Sequence, residues 1–298
     1  MINIIQKRVY LYIFSLGAVF LSIGALFVWG LNLGIDFKGG TLMEVQFSET
    51  VPAIGVITES LAPFSLQSLT IQPTGERSLF LRYLASDEVA NEQVLEKLQS
   101  FDENILLLRT DFIGGSVSEQ IKKQAIIGII LSIIGIALYI AWAFRRVSGL
   151  VGSWEYGLGA IIALAHDIIV TIGVFSFLGE FYGVEIGVPF VAALLTILGY
   201  SVNDTIVVYD RIRENLLRSN KKEDFEITVN RSINETLGRS FNTSFTVIVT
   251  LLAIVLFGGE SIKYFALAIL IGVAFGTYSS IYVASALLVT RYKMKMRG

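Results

Sequence analysis

Three sets of ionisable residues stand inside or beside long apolar stretches, where a charge is costly and usually functional. Asp204 lies in GYSVNDTIVVYDRIREN, residues 199–215, with Asn203 and Thr205 beside it and Ser201 close by. His166 and Asp167 lie together in IIALAHDIIVTIG. Arg239 stands in LGRSFNTSFTV, followed by Asn242, Thr243 and Ser244. The chemistry that suits such a set is proton handling. A carboxyl group in a low-dielectric setting favours its neutral form, whereas a nearby arginine, which keeps its charge, favours the ionised form. Moving an arginine towards or away from a carboxyl therefore unloads or loads a proton. The competing reading is a static buried ion pair that fixes helix packing. His166 and Asp167 point in different directions on a helix and need not act together. Asp210 and the RIREN that follows sit at the end of an apolar stretch, where charge is ordinary; the run is expected to continue as a short interfacial amphipathic helix that serves topology and solubility, the alternative being coupling between the fourth and fifth spans.

Other chemistries are excluded by composition. The chain has no cysteine, hence no disulfide, thiolate metal site or cysteine nucleophile, and its one histidine rules out a multi-histidine zinc centre. HExxH, GxxxxGK[ST] and GxSxG are all absent. The expectation is a protein that is not an enzyme, holds no cofactor or metal, and draws any work from a proton gradient rather than ATP. A net charge of -2 gives no sign of a nucleic-acid partner.

The elements that must position these residues are membrane helices. Hydrophobic residues make up 54% of the 298 and charged residues 16%, against about 25% charged in soluble domains. A bilayer core needs about 20 apolar residues per helix. Six stretches qualify, at 10–31, 124–144, 155–178, 187–209, 243–259 and 263–290. Lys7 and Arg8 precede an apolar run that reaches Leu33, too long for a signal peptide and suited to a retained first helix. The spacing predicts a first unit over 1–33, an external domain over 34–120, and helices two to six over 121–290. A loop over 210–240 joins helices four and five, and 291–298 form a tail. Fifteen of the 23 basic residues fall at the N-terminus, at Arg145 and Arg146, in the 210–240 loop and in the tail. The positive-inside rule makes these segments and both termini cytoplasmic. Residues 32–120 carry five basic residues against thirteen acidic ones and lie on the other side.

The external domain reads as strand 41–48, helix 52–62, strands 69–73 and 78–84 joined through Thr74-Gly75-Glu76, helix 88–100 and strand 104–112. That β-α-β-β-α-β order is ferredoxin-like. Gly39-Gly40 and Gly114-Gly115 bracket it as hinges or turns. Gly128, Ser132 and Gly135 in the second stretch, and Gly272 and Gly276 in the sixth, mark candidate close helix contacts.

Four stretches resemble the SecD/SecF family of the bacterial Sec protein-export accessory complex: GLNLGIDFKGGT at 30–41, FIGGSVSEQI at 112–121, GYSVNDTIVVYDRIREN at 199–215 and TLGRSFNTSFT at 236–246. The similarity runs from Gly30 to the last helix. The NDTIVVYDRIREN form, the single small external domain and the length resemble the SecF branch. Gly34, Asp36, Gly39 and Gly40 match the first signature, and Tyr209, Asp210 and Arg211 the third. The resemblance implies a polytopic α-helical membrane protein, a six-span RND-like half-bundle with an inserted α+β ferredoxin-like periplasmic domain, in the cell inner membrane. It implies pairing with SecD, association with the SecYEG translocon and with YajC and YidC, and exported unfolded polypeptides as cargo. Protons are the implied coupling ion. Asp204 matches the family's proton-linked aspartate and Arg239 its essential arginine; Asn203, His166 and Asp167 are weaker relay candidates. The expected function is coupling of the proton motive force to completion of protein export. The alternatives are a self-contained or homodimeric RND-like exporter of small or lipidic molecules, and a non-transporting scaffold.

Overall fold

The computed structural model describes residues 2–74, 77–84, 88–144, 152–218 and 223–297. The chain divides into two compact units, one formed by residues 33–125 and the other by 1–32 with 126–298. Among the described residues six helices are long and apolar enough to cross a membrane.

The membrane unit opens with the helix α1 (Arg8–Val28), after a 3-10 turn at Ile5–Lys7. The inserted unit then follows as α2 (Ile35–Lys38), β1 (Gly40–Gln46), α3 (Ile54–Leu61), β2 (Gln67–Thr74), β3 (Ser78–Leu84), α4 (Glu88–Gln99) and β4 (Leu106–Ile113). Its strands form one antiparallel sheet in the order β2-β3-β1-β4, which is the ferredoxin-like arrangement read from the sequence. The alternation in SLFLRYL sends Leu79, Leu81 and Tyr83 to one face. There they join Met43 and Val45 of β1, Ile57 and Leu61 of α3, and Val94 and Leu98 of α4 in a closed core. Gly75 and Glu76 of the expected hairpin turn lie outside the described residues.

Two glycines fix where this unit begins. Gly39 ends α2 at φ 77, ψ 174, a region that is essentially glycine-only. Gly40 opens β1 at φ 111, and a Cβ there would lie 2.6 Å from the Tyr83 carbonyl oxygen. The chain must reverse sharply at this point to enter the sheet between β3 and β4, and only a residue without a side chain permits it.

The membrane unit resumes with α5 (Gly115–Ala143), α6 (Ser153–Tyr182), α7 (Val188–Arg218), α8 (Phe225–Phe257), α9 (Glu260–Tyr278), a π-helical segment (Ser279–Ala284) and α10 (Ser285–Arg297). The helices α6, α7 and α9 form the centre; α1 packs on α6, and α8 packs on α7 and α9. Small residues permit these approaches. A Cβ at Gly173 would collide with Ser22 of α1, and one at Gly272 with Ile197 of α7. Gly128 and Gly135 of α5 meet nothing within 4 Å, so that proposed contact face is unoccupied in this chain. Beyond its first turn α5 buries only Ile140 in the core, with Phe144 just after its end.

The helices outrun the apolar stretches. Within 210–240, expected as a loop after a short helical run through RIREN, α7 does continue to Arg218, and α8 already starts at Phe225, so the segment is helical over most of its described length. The physical reason is a second apolar repeat hidden among the charges. Ile212, Leu216, Phe225, Val229 and Ile233 recur at helical spacing and are buried together with Ile4 and Ile5. Asp224 caps α8, its Oδ1 accepting from the backbone N–H groups of Glu226 at 2.8 Å and Ile227 at 3.3 Å. Arg145, Arg146, Lys221 and Lys222 of the orientation argument lie outside the described residues.

Candidate functional site

Asp204 sits on α7 in a row of small polar residues that face its neighbours. It is 7% exposed. Its Oδ1 accepts a hydrogen bond from Ser240 Oγ of α8 at 2.7 Å. Its Oδ2 is buried and has no hydrogen-bond partner among the described residues. One turn further along α8, Ser244 receives a hydrogen bond from Tyr200 OH at 3.0 Å and lies 2.5 Å from Thr277 Oγ1. The i, i+4 spacing of Ser240 and Ser244 places both on the side of α8 that meets α7 and α9. Buried polar atoms are normally paired, so an open carboxyl oxygen next to a fixed one is a place where a proton can be taken up or a donor from elsewhere received.

Arg239 does not meet Asp204. It is exposed, one residue along from Ser240, and makes no ion pair with Asp204 among the described residues. The static buried pair expected as the competing reading is therefore not formed. Consecutive residues on a helix diverge by about 100°, so α8 can present Ser240 or Arg239 to α7, but not both at once. Asn203 is likewise exposed, on the outer side of α7.

His166 and Asp167 come together despite their adjacency. His166 Nδ1 lies 2.9 Å from Asp167 Oδ1. Asp167 Oδ2 accepts from Ser201 Oγ at 2.6 Å and from Ser279 Oγ at 2.8 Å. Asp167 is fully buried, and Gly276 makes the room: a Cβ there would stand 3.1 Å from Ser201 Cβ and 3.5 Å from Asp167 Oδ2. Ser201 and Asp204 are one turn apart on α7, so one helix face touches both carboxyl groups. The contributions of Ser240, Ser279 and Ser280 were not legible beforehand. Serine is common in membrane helices, and only the i, i+4 pairs Ser240/Ser244 and Ser201/Thr205 offered a signal.

The other signature residues are structural. Tyr209 is buried, donates to the Ala284 carbonyl at 3.2 Å, and packs edge-on against Tyr156 with ring centroids 5.1 Å apart. Asp210 accepts from Arg213 at 3.2 Å. Arg211 bridges Glu235 of α8 at 2.6 Å and Glu214 at 2.5 Å. Gly34 starts α2, its carbonyl accepting from Phe37 and Lys38 N–H at 3.1 Å each, and Asp36 lies in that first turn. Among the described residues no cluster of three or more His, Cys, Asp or Glu could hold a metal ion.

Around the Asp204 site the outward surface carries a set of polar side chains among apolar ones such as Phe241 and Phe245. On α8, Arg239, Asn242, Thr243, Thr246 and Thr250 are exposed; on α7, Thr196 and Asn203 are. The threonines bond back to their own helices, as Thr246 Oγ1 does to the Thr243 carbonyl at 2.8 Å. Asn203, Asn242 and the Arg239 guanidinium have no such local partner among the described residues.

The family model described as "Protein export membrane protein SecD/SecF, C-terminal" matches residues 93–294, and the SecD/SecF GG motif matches residues 24–51. The protein translocase subunit SecF of Thermobaculum terrenum is 45% identical, over 97% of this chain and 94% of its own length. SecF of Anaerolinea thermophila is 37% identical, over 97% and 94%. The crystal structure of SecDF from Thermus thermophilus, described as a translocon-associated membrane protein, superposes with a TM-score of 0.84 at 35% identity. That match covers 98% of this chain and 39% of the SecDF chain. A second SecDF structure, in a super-membrane-facing form, gives a TM-score of 0.71 at 33% identity. The chain thus spans about two fifths of the SecDF polypeptides it matches and nearly the whole of the SecF ones.

Proposed function

Because the chain belongs to the SecD/SecF family of protein-export membrane proteins, we propose that it is the SecF-type half of a Sec accessory complex that couples proton flow to completion of protein export. It is a polytopic protein of the cytoplasmic membrane with both termini in the cytoplasm and its ferredoxin-like unit in the periplasm. Its role is that of an accessory translocase subunit, not an enzyme. The cargo is the exported polypeptide and the coupling ion is the proton. SecD is the obligate partner and SecYEG the translocon served; YajC and YidC are further associates.

The observation that carries this reading is the exposed polar band on α7 and α8 beside a half-satisfied buried carboxyl. Arg239 lies about 27 Å along α8 from Phe257, at the inner edge of a hydrocarbon core about 30 Å thick. The carboxamides exposed with it, Asn242 one turn deeper and Asn203 on α7, are costly against lipid tails, whereas the guanidinium itself lies within reach of headgroups. The carboxamides are favourable against a second bundle that offers polar groups of its own. Asp204 takes up the proton at Oδ2, and Ser240 holds Oδ1. Arg239 is held off the carboxyl and comes to it when α8 rotates or slides against α7, which replaces the proton by a fixed positive charge. The asymmetry of one satisfied and one open oxygen supports a loading state rather than a finished ion pair. A self-contained exporter is disfavoured by the same band, which leaves one half of the machine unmatched within this chain.

The test is purification of the complex from native membranes with and without Asp204→Asn, scoring co-purifying translocase components and proton-dependent secretion in one strain. The expected result is an assembled complex that no longer responds to the proton gradient. Recovery of no translocase component with the native chain, or full secretion by the variant, refutes it.

A further inference from the structure

Asp167 contacts a part of the membrane unit that Asp204 does not reach. The helix formed by α9 and α10 is interrupted by the π-helical segment Ser279–Ala284, and such wide turns occur mostly at functional positions. The hydrogen bonds that tie this segment to other helices come from α6 and α7. Ser279 Oγ donates to Asp167 Oδ2 at 2.8 Å. Ser280 Oγ donates to the Ser201 carbonyl at 3.1 Å and lies 2.8 Å from Thr205 Oγ1. Tyr209 OH donates to the Ala284 carbonyl. Asp167 is the one ionisable carboxyl among these anchors.

We propose that Asp167, steadied by His166, is a second proton-holding site whose occupancy sets the grip on the π-helical segment and so the position of α10. This rests on the proton-coupled reading above. As a carboxylate, Asp167 accepts three hydrogen bonds, from His166 Nδ1, Ser201 and Ser279, and charge-assisted bonds are about twice as strong as neutral ones. His166 Nε2 is buried without a hydrogen-bond partner. That suits a neutral imidazole with its hydrogen on Nδ1, because a second N–H would be an unpaired buried donor. When a proton adds to Asp167 Oδ2, that oxygen becomes a donor, and one of its two hydroxyl partners must turn from donor to acceptor. Ser279 can do so at once, since the Gly276 carbonyl lies 3.1 Å from its Oγ and takes the displaced hydrogen bond. No bond other than O–H is made, and the proton is returned by the reverse step. What changes is that a charge-assisted hold on the segment becomes a neutral one.

The groups facing this site are few. On α7 the nearest titratable groups are Asp204, one turn from Ser201 and bonded to Ser240 of α8, Tyr200, which donates to Ser244 of α8, and Tyr209, which donates to the Ala284 carbonyl. On α9 it is Tyr278, whose ring centroid is 6.3 Å from that of His166. The helix α1 turns hydroxyls towards α6 and α9, among them Ser15 to Tyr278 OH at 3.3 Å, and α8 reaches only Asp204, through Ser240. No lysine or arginine pairs with Asp167 among the described residues.

The native chain has no cysteine, so spin labels can be placed at will. Labels at Leu158→Cys on α6 and Met294→Cys on α10, both exposed, report the α6–α10 distance in the assembled complex in bilayers. The expected result is a shift of about 1–2 Å, the scale of helix movements at interfaces, between the acid and alkaline ends of the range over which the complex stays assembled. Asp167→Asn holds the low-pH distance at both ends. Ser279→Ala, which alters no charge and removes only the hydroxyl, abolishes the shift as well. A native distance that does not move, or a shift that survives in Asp167→Asn or in Ser279→Ala, overturns the proposal. The distance is read without transport, so failure of the Asp204 reading appears separately, as proton-dependent secretion retained by Asp204→Asn.

Discussion

Replacing Gly40 by alanine should open the periplasmic unit, and the size of the effect can be worked from its geometry. At φ 111 an alanine carries a backbone penalty, of about 1–3 kcal/mol for such sparsely populated regions. Its Cβ would in addition stand 2.6 Å from the Tyr83 carbonyl oxygen. That oxygen belongs to β3, which is paired to β1 from Thr41↔Tyr83 onward, so relief of the clash means loosening the first rung of the central ladder. Loss of one backbone hydrogen bond adds about 1 kcal/mol. The sum is about 3 kcal/mol, a large fraction of the roughly 5–15 kcal/mol that stabilises a domain. Each 1.4 kcal/mol is tenfold in an equilibrium, so the open population should rise by about 10²-fold. Pulsed proteolysis of the full-length protein in right-side-out membranes measures this directly as cleavage within residues 40–113. Gly115→Ala is the matched control, since its Cβ would meet nothing within 4 Å and its φ is not positive. Equal protection in the two variants would refute the argument that strand entry requires glycine at this position.

Three other outcomes are expected. Ser240→Ala removes the hydrogen bond on Asp204 Oδ1, costs about 1.5–3 kcal/mol if the carboxyl is ionised in the state it stabilises, and lowers proton-dependent secretion at unchanged membrane level, whereas Ser240→Thr restores it. Gly272→Val drives a branched side chain into Ile197 of α7 and should reduce the yield of folded protein in detergent, read by size-exclusion chromatography, while Gly128→Val leaves the isolated chain intact. Asp102, an exposed carboxylate, is held below the usual range by hydrogen bonds from Ser48 N–H at 2.6 Å and Ser48 Oγ at 2.7 Å, with a further one from Asn104 N–H. A depressed folded value stabilises above the unfolded one, near pH 3.9, and that contribution is lost as pH falls through the folded value; acid-induced opening of the periplasmic unit should therefore be shallower in Asp102→Asn below about pH 4.

Much of this architecture was legible because membrane and sheet impose strong periodicities. The six spans followed from apolar length, and SLFLRYL declared its buried face through simple alternation. What the sequence concealed has a common cause. Beyond the short helical run of RIREN, 210–240 reads as a loop because charges such as Arg218, Arg231 and Glu235 dominate the composition, yet Ile212, Leu216, Val229 and Ile233 beneath them keep two helices going. Ion pairs such as Arg211–Glu235 then neutralise the very charges that suggested a loop. At the site, Asp204 was found by the expense of its charge, but its partner was not. Arg239 drew attention for the same reason, while the group in contact is the neighbouring Ser240. Charge flags a residue in an apolar sequence; it does not say which way the helix is turned.

That turn is where the chemistry resides. The helix α8 runs unbroken from its Asp224 cap to Phe257, so movement at its cytoplasmic end is transmitted along the rod to Ser240. That end is tied down: Asn230 and Asn234 accept the backbone N–H groups of Ile4 and Ile2 at 2.9 and 2.8 Å, and Glu226 pairs with Arg8 and Lys293. A rotation of α8 by about 100° exchanges one residue for the next, replacing a hydroxyl on Asp204 by a guanidinium. A hydroxyl tolerates either protonation state of the carboxyl, whereas a guanidinium tolerates only the ionised one. The same rotation carries Asn242 with Arg239, since residues three apart share a face, and so strips the outer band of its costliest groups. Whatever holds Arg239 outward must therefore supply acceptors at that depth. Headgroups can do so for Arg239 at the inner edge, but for Asn242 beneath it only a second bundle can, which makes occupancy of the outer band and protonation of Asp204 two readings of one helix position.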